Sequence, residues 1–166
     1  MKPTAIILHH ELGSNGFLSV NEYHRKLWNF KSSLGWFGGY QYYIDKLGNI
    51  HQFRRDDEEG AHTIGRNKDS IGICLEGDFD RYRPTNLQII ALKGLILQKM
   101  TYWAILPKNV YGHRIFANKS CPGNLWPESE IRALFQPDLK YYQVLINSLK
   151  DWISKIKLGK KERGCL

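Results

Sequence analysis

The chain has 166 residues, 42% of them hydrophobic and 24% charged. That is long enough for one domain with a real core and too apolar for intrinsic disorder. Its formal charge of +8 favours a polyanionic partner, whether nucleic acid, an anionic membrane or a bacterial wall polymer, without choosing among them. Three widely spaced cysteines, Cys74, Cys121 and Cys165, exclude the disulfide framework of a small secreted domain. The apolar run at the N-terminus, Ala5 to Leu8, is too short for a signal-peptide core, and no stretch has the length of a membrane span. The expectation is a protein made in the cytoplasm without a signal peptide, its thiols reduced.

In chain order, residues 3 to 8 read as a buried strand that ends at His9 and His10. "SVNE", Ser19 to Glu22, has the form of a capping box and predicts a helix through about Leu34, with Tyr23, Leu27, Trp28 and Phe30 facing inward. "YQYYIDKLGNIHQFR" predicts a hairpin turning at Leu47-Gly48-Asn49. Residues 58 to 69 carry neither period and read as a loop. "SIGICLEG", Ser70 to Gly77, is apolar on both faces, as a central strand would be. A second capping box, Thr85 to Gln88, opens a long helix to about Trp103, and Val110 and Tyr111 form a short strand. "PESEIRALF" then predicts a helix with Pro127 in its first turn. Strands alternating with helices indicate an α/β fold, a central mixed sheet flanked by helices. From residue 139 onward Leu145, Leu149, Trp152, Ile153 and Ile156 recur at helical spacing, before a basic "KKERGCL" end. We therefore divide the chain into a domain at 1–138 and a C-terminal amphipathic helix and tail at 139–166. One apolar stripe predicts docking on the domain; membrane or wall contact through the tail is the less favoured alternative.

The segment "GHRIFANKSCPG", Gly112 to Gly123, sets a histidine, a lysine and a cysteine at fixed offsets. A reduced cysteine near a histidine fills a core, acts as a nucleophile or binds a metal. Cys121 sits in a polar stretch, which weakens the first role. As a nucleophile it would take His113 as its base. As a ligand it needs further donors, and His9, at the end of a buried strand where α/β sheets open onto their sites, supplies one. His10 points to the opposite face by strand alternation. His24, beside Arg25 and Lys26, reads as a solvated surface residue. A set of His9, His113 and Cys121 leaves the fourth position of a zinc ion open, as in a hydrolase.

"AIILHH", "GGYQYYIDKLGNIHQF", "GAHTIGRNKDSIGICLEGDF" and "GHRIFANKSCPG" occur in the order and character of the zinc-dependent N-acetylmuramoyl-L-alanine amidases. The chain resembles the branch that includes phage-lysozyme-type amidases and peptidoglycan-recognition proteins, over about Thr4 to Phe135. The resemblance implies one zinc per chain held by His9, His113 and Cys121. It also implies a catalytic tyrosine at Tyr40, a catalytic lysine at Lys119 and a groove residue at His62. Arg66 and Asn67 are candidates for holding a peptide stem. Glu76 orients a ligand, takes part in proton transfer or serves a structural hydrogen bond; Cys74 reads as core, and Trp36 and Phe37 line a sugar groove or are simply buried.

The expected activity is hydrolysis of the amide between the muramic acid lactyl group and L-alanine, as an endolysin or autolysin acting on the bacterial cell wall. The alternatives are a cytosolic recycling amidase on anhydro-muropeptides and a non-catalytic peptidoglycan-binding module. The former family members usually carry aspartate where Cys121 stands, and the latter usually lack the metal cysteine. Peptidoglycan or muropeptides are the expected partners. No nucleic acid is expected, since no binding motif accompanies the charge.

Overall fold

A computed structural model describes residues 1–13, 15–133 and 135. The chain divides into a unit Met1–Leu134 and a unit Phe135–Leu166. The amphipathic C-terminal stretch expected from the sequence lies outside the described residues. Within the first unit the elements run β1 (Ala5–His10), α1 (Gly16–Trp28), β2 (Tyr42–Ile44), β3 (Ile50–Gln52), β4 (Ser70–Leu75), α2 (Asn86–Trp103), β5 (Val110–Gly112) and α3 (Glu128–Ala133). Single 3-10 turns at Pro107–Asn109 and His113–Ile115 flank β5. Among the described residues no helix is long and apolar enough to cross a membrane.

The five strands form one mixed sheet in the order β3-β2-β4-β1-β5. β4, β1, β5 and β2 pair in parallel and β3 closes an edge antiparallel to β2. β1 and β4 are buried along their whole length, which is why both read as unbroken apolar runs rather than alternating ones. The register pairs His9 with Cys74 and Cys74 with Tyr43. Paired residues in a sheet share a face, so one row, Tyr43–Cys74–His9, crosses the sheet near the carboxyl ends of its strands. On that face Val20, Tyr43, Phe53 and Cys74 form a buried cluster with Phe17, Trp36 and Tyr40 against it. Cys74 is therefore core, as its apolar strand implied.

Tyr42, one residue out of phase with Tyr43, faces the other way and meets α2, with Lys99 Nζ 4.6 Å from its ring centre. The capping box of α2 is formed, Thr85 accepting from the Gln88 N–H and the Gln88 side chain accepting from Thr85 N–H. Gln88 is fully buried and its amide also donates to the carbonyls of Ile44 and Glu76. Glu76 itself accepts from the Lys46 N–H at 3.3 Å, a structural hydrogen bond.

α1 departs from expectation at both ends. It opens at Gly16, and Asn15 makes no side-chain cap. The "SVNE" box lies inside the helix, where Glu22 pairs with Arg25 at 2.7 Å instead of reaching back to a free N–H. It stops at Trp28, with Asn29 in the left-handed conformation at φ 49°. Its buried residues are Val20 and His24, while Tyr23, Leu27, Trp28 and Phe30, expected inward, are 63%, 52%, 46% and 40% exposed.

Candidate metal centre and substrate groove

The sheet register builds the centre. β1 pairs Leu8 with Gly112 of β5, so the next residues, His9 and His113, stand side by side with ring centres 4.5 Å apart. Cys121 returns to the same place, its Sγ 3.7 Å from His9 Nδ1. One ligand atom each from His9, His113 and Cys121 lies within 4.8 Å of the others. Tetrahedral zinc with ordinary Zn–N and Zn–S bonds sets nitrogen and sulfur about 3.6 Å apart, so the donor set fits that ion.

Its electrostatics fit as well. Burial, reinforced by His62, His113 and Lys119, holds the His9 pKa well below its ordinary value. Burial and then Lys119 lower that of His113. Both imidazoles are neutral at pH 7, the form that coordinates. Burial pushes the Cys121 thiol up to about 11, opposed by the His10 backbone N–H and by Lys119. The sulfur thus keeps its proton until a cation replaces it.

The other nitrogen of His9 is held from behind. His9 Nε2 lies 3.2 Å from His62 Nδ1 and 3.4 Å from Thr63 Oγ1. A ligating histidine characteristically gives its second N–H to such a partner, which fixes tautomer and ring orientation. His62 reaches it because the Asn67 side-chain carbonyl accepts from both the His62 and Thr63 N–H groups, at 2.9 and 2.8 Å. Asn67 thereby shapes the loop and also lines the groove. Arg66 pairs with Asp69 at 2.9 Å and lies over Phe116, and among the described residues it is not part of the groove lining.

Tyr40 is set by close backbone packing at Gly39. The Gly39 N–H donates to His24 Nδ1 at 2.9 Å, its carbonyl accepts from Ala61 N–H at 2.8 Å, and a Cβ there would fall 2.3 Å from the Ala61 oxygen. The Tyr40 ring sits 5.1 Å from that of His9. Burial, with the Cys74 and Cys121 thiols nearby, raises its hydroxyl pKa well above the phenol range, so it stays a proton donor. Lys119 is exposed, two residues before Cys121 on the rim.

These groups share a groove of about 950 Å³ whose lining includes His9, Tyr40, His62, His113, Lys119 and Cys121. Its wall is α1, through Val20, Tyr23, Leu27 and Trp28. Of the apolar residues expected to face the core, Tyr23, Leu27 and Trp28 line the groove instead, while Phe30 lies against the Arg54 guanidinium. The sequence signal for the true inward face is the spacing Phe17, Val20, His24. His24 is a correction: it is 5% exposed, not solvated. Trp36 packs edge-on against Phe17, ring centres 4.9 Å apart, and neither it nor Phe37 is among the described groove-lining residues.

Residues 1–124 match the family model for N-acetylmuramoyl-L-alanine amidase. The chain belongs to this family. It is 37% identical over 99 residues to peptidoglycan-recognition protein SC2 of Drosophila melanogaster, covering 58% of this chain and 54% of that one. The chain thus matches about half the length of that fly relative. It is 28% identical over 120 residues to an endolysin of Klebsiella phage KP32, covering 64% and 76% of the two chains. Among solved structures, the amidase LysC from Clostridium intestinale superposes with a TM-score of 0.71 at 31% identity, over 80% of this chain and 85% of that one. The fold is that of this amidase family, as the four motifs implied.

Proposed function

We propose that the chain is a zinc-dependent amidase that cuts the lactyl–L-alanine amide of peptidoglycan, acting on the bacterial cell wall as an endolysin or autolysin. The observation that carries this reading is the convergence of three metal-type donors, Tyr40 and Lys119 on one groove. The phage and clostridial relatives, named as endolysin and amidase, support it. Cys121 argues against the recycling enzymes, which usually carry aspartate there.

Bound zinc would supply Lewis acidity and lower the pKa of water from 15.7 to about 7. The residues do the rest. His9 and His113 give neutral nitrogen and Cys121 gives a thiolate. As water adds to the amide carbonyl, charge grows on its oxygen, and the Lys119 ammonium at the rim stabilises it. The C–N bond then breaks and the alanine nitrogen must take a proton. Tyr40, held in its protonated form, orients the attacking water by its hydroxyl or passes that proton on. His62 braces His9, and Asn67 lines the groove that would take the peptide stem.

The test combines metal analysis with product mass spectrometry on purified peptidoglycan, with and without a chelator. One zinc per chain is expected, lost together with activity in Cys121→Ala and His113→Ala. Tyr40→Phe and Lys119→Ala keep the zinc while turnover falls about a hundredfold or more. Released stems must begin with free L-alanine. Binding of peptidoglycan without any such product would replace the amidase reading with that of a recognition module.

A further inference from the structure

A second group of metal-type side chains, His10, Asp78 and Asp80, gathers on the far side of β1 with ligand atoms within 4.8 Å of one another. Its carboxylate oxygens and His10 Nδ1 are engaged, while His10 Nε2 is buried without a hydrogen-bond partner. His10 Nδ1 accepts from the Phe79 N–H at 3.1 Å. Asp78 accepts from the Asp80 N–H and pairs with Arg81. Asp80 accepts from Ser120 Oγ at 2.7 Å with one oxygen and from the Asn124 N–H at 2.8 Å with the other. The last pair matters most, because Ser120 and Asn124 bracket Cys121, and Ser120 follows Lys119 directly.

We infer that Asp80 is the positioning residue of the metal loop, a bidentate clamp that fixes residues 119–124 so that the Cys121 sulfur meets His9 and His113. The clamp is anchored to the sheet. His10, at the end of the strand that carries His9, holds the Phe79 N–H, and the Phe79 carbonyl accepts from Leu125 N–H at 2.8 Å. Gly123, at φ 119°, presses so closely on Phe79 that a Cβ would lie 2.4 Å from its carbonyl carbon. The loop therefore has no slack on the side of Asp80. The Ser120 hydroxyl and the Asn124 N–H also hold the Asp80 carboxyl below the usual carboxylate range, so the acceptor stays charged and its hydrogen bonds stay strong. On the other side Arg114 holds the loop, its N–H donating to the Cys121 carbonyl at 2.7 Å and its guanidinium to that of Gly123.

The proposal rests on Cys121 being a metal ligand, and its test separates the two. Full-length protein is loaded with cobalt(II), whose thiolate charge-transfer and ligand-field bands report sulfur ligation and tetrahedral geometry. Cobalt and zinc affinities are measured by chelator competition, with circular dichroism to establish folding. Asp80→Ala should weaken both affinities by about 10–100-fold, the range for partners that orient a ligand, and should broaden or shift the cobalt bands. Ser120→Ala removes one of the two bonds and should shift both readouts in the same direction by less. Asp80→Asn keeps one acceptor oxygen and should fall between. If Asp80→Ala does not fold, the other two variants decide. Bands and affinities at wild-type values in the folded variants overturn the clamp alone. A wild-type chain with no cobalt–thiolate band overturns the metal assignment and the clamp with it.

Discussion

His24 is where a sequence reading and the packed structure part most sharply. Two cationic neighbours and a helical position suggest solvent, yet the side chain is buried, accepts from the Gly39 N–H and packs 4.6 Å from Trp28 and 5.5 Å from Tyr40, ring centre to ring centre. It supports the residue before Tyr40. Burial, with the charge of Arg54 behind it, lowers its pKa from 6.5 to about 4. Between those values the unfolded chain binds a proton that the native one refuses, so stability is complete above about pH 6.5 and falls as pH drops towards 4. A shift of that size corresponds to at most ~3 kcal/mol. His9 and His62 are lowered in the same direction and add to the slope. His24→Gln, which keeps an acceptor for Gly39 and does not titrate, should flatten the loss of stability between pH 6.5 and 4. Urea melts at several pH values measure it, and an unchanged slope would assign the acid sensitivity elsewhere. The clustering of His9, His113 and Cys121 was legible for the opposite reason. Each sits at a strand end or a fixed offset in a motif, where local sequence determines direction. The contacts of His24, His62 and Asp80 join residues 15, 53 and 40 positions apart, and no local pattern announces them.

Among the elements, those whose sequence signal is local were legible and the one whose apolar face lines the groove was not. β1 and β4 are unbroken apolar runs, the hairpin has its turn residues, and Thr85 and Gln88 form their box. In α1 the largest apolar side chains mark a face without saying what it faces. Tyr23, Leu27 and Trp28 look like core in sequence and line the groove in space, because ligand grooves are built with apolar surface as a core is. The consequence is measurable. Leu27→Ser and Tyr23→Ala remove exposed side chains and should change unfolding free energy by no more than about 0.5 kcal/mol. Affinity for muropeptides should fall, read as a higher KM or weaker binding in calorimetry. A large loss of stability with unchanged affinity would return these residues to a structural role.

At the scale of the whole molecule, little of the +8 charge is carried by the described groove lining. Among the described groove-lining residues Lys119 is the only lysine or arginine and Glu11 the only acidic side chain. Much of the positive charge lies in 139–166, where seven basic residues face two acidic ones in the sequence. On the proposed function such charge would draw the molecule towards an anionic wall over distances set by salt, about 8 Å at physiological ionic strength and about 3 Å at 1 M. It contributes little to holding a small neutral fragment in the groove. Raising salt should therefore reduce pelleting with whole walls and the rate of wall lysis, while turnover of a soluble muropeptide changes little. Replacing Lys155, Lys157, Lys160 and Lys161 together by Gln in the full-length chain should mimic high salt in the pelleting assay and leave the soluble-substrate rate intact. If the soluble substrate showed the same salt dependence as the wall, the charge would be acting at the groove itself, through Lys119, and long-range attraction would not be the reason for the chain's basicity.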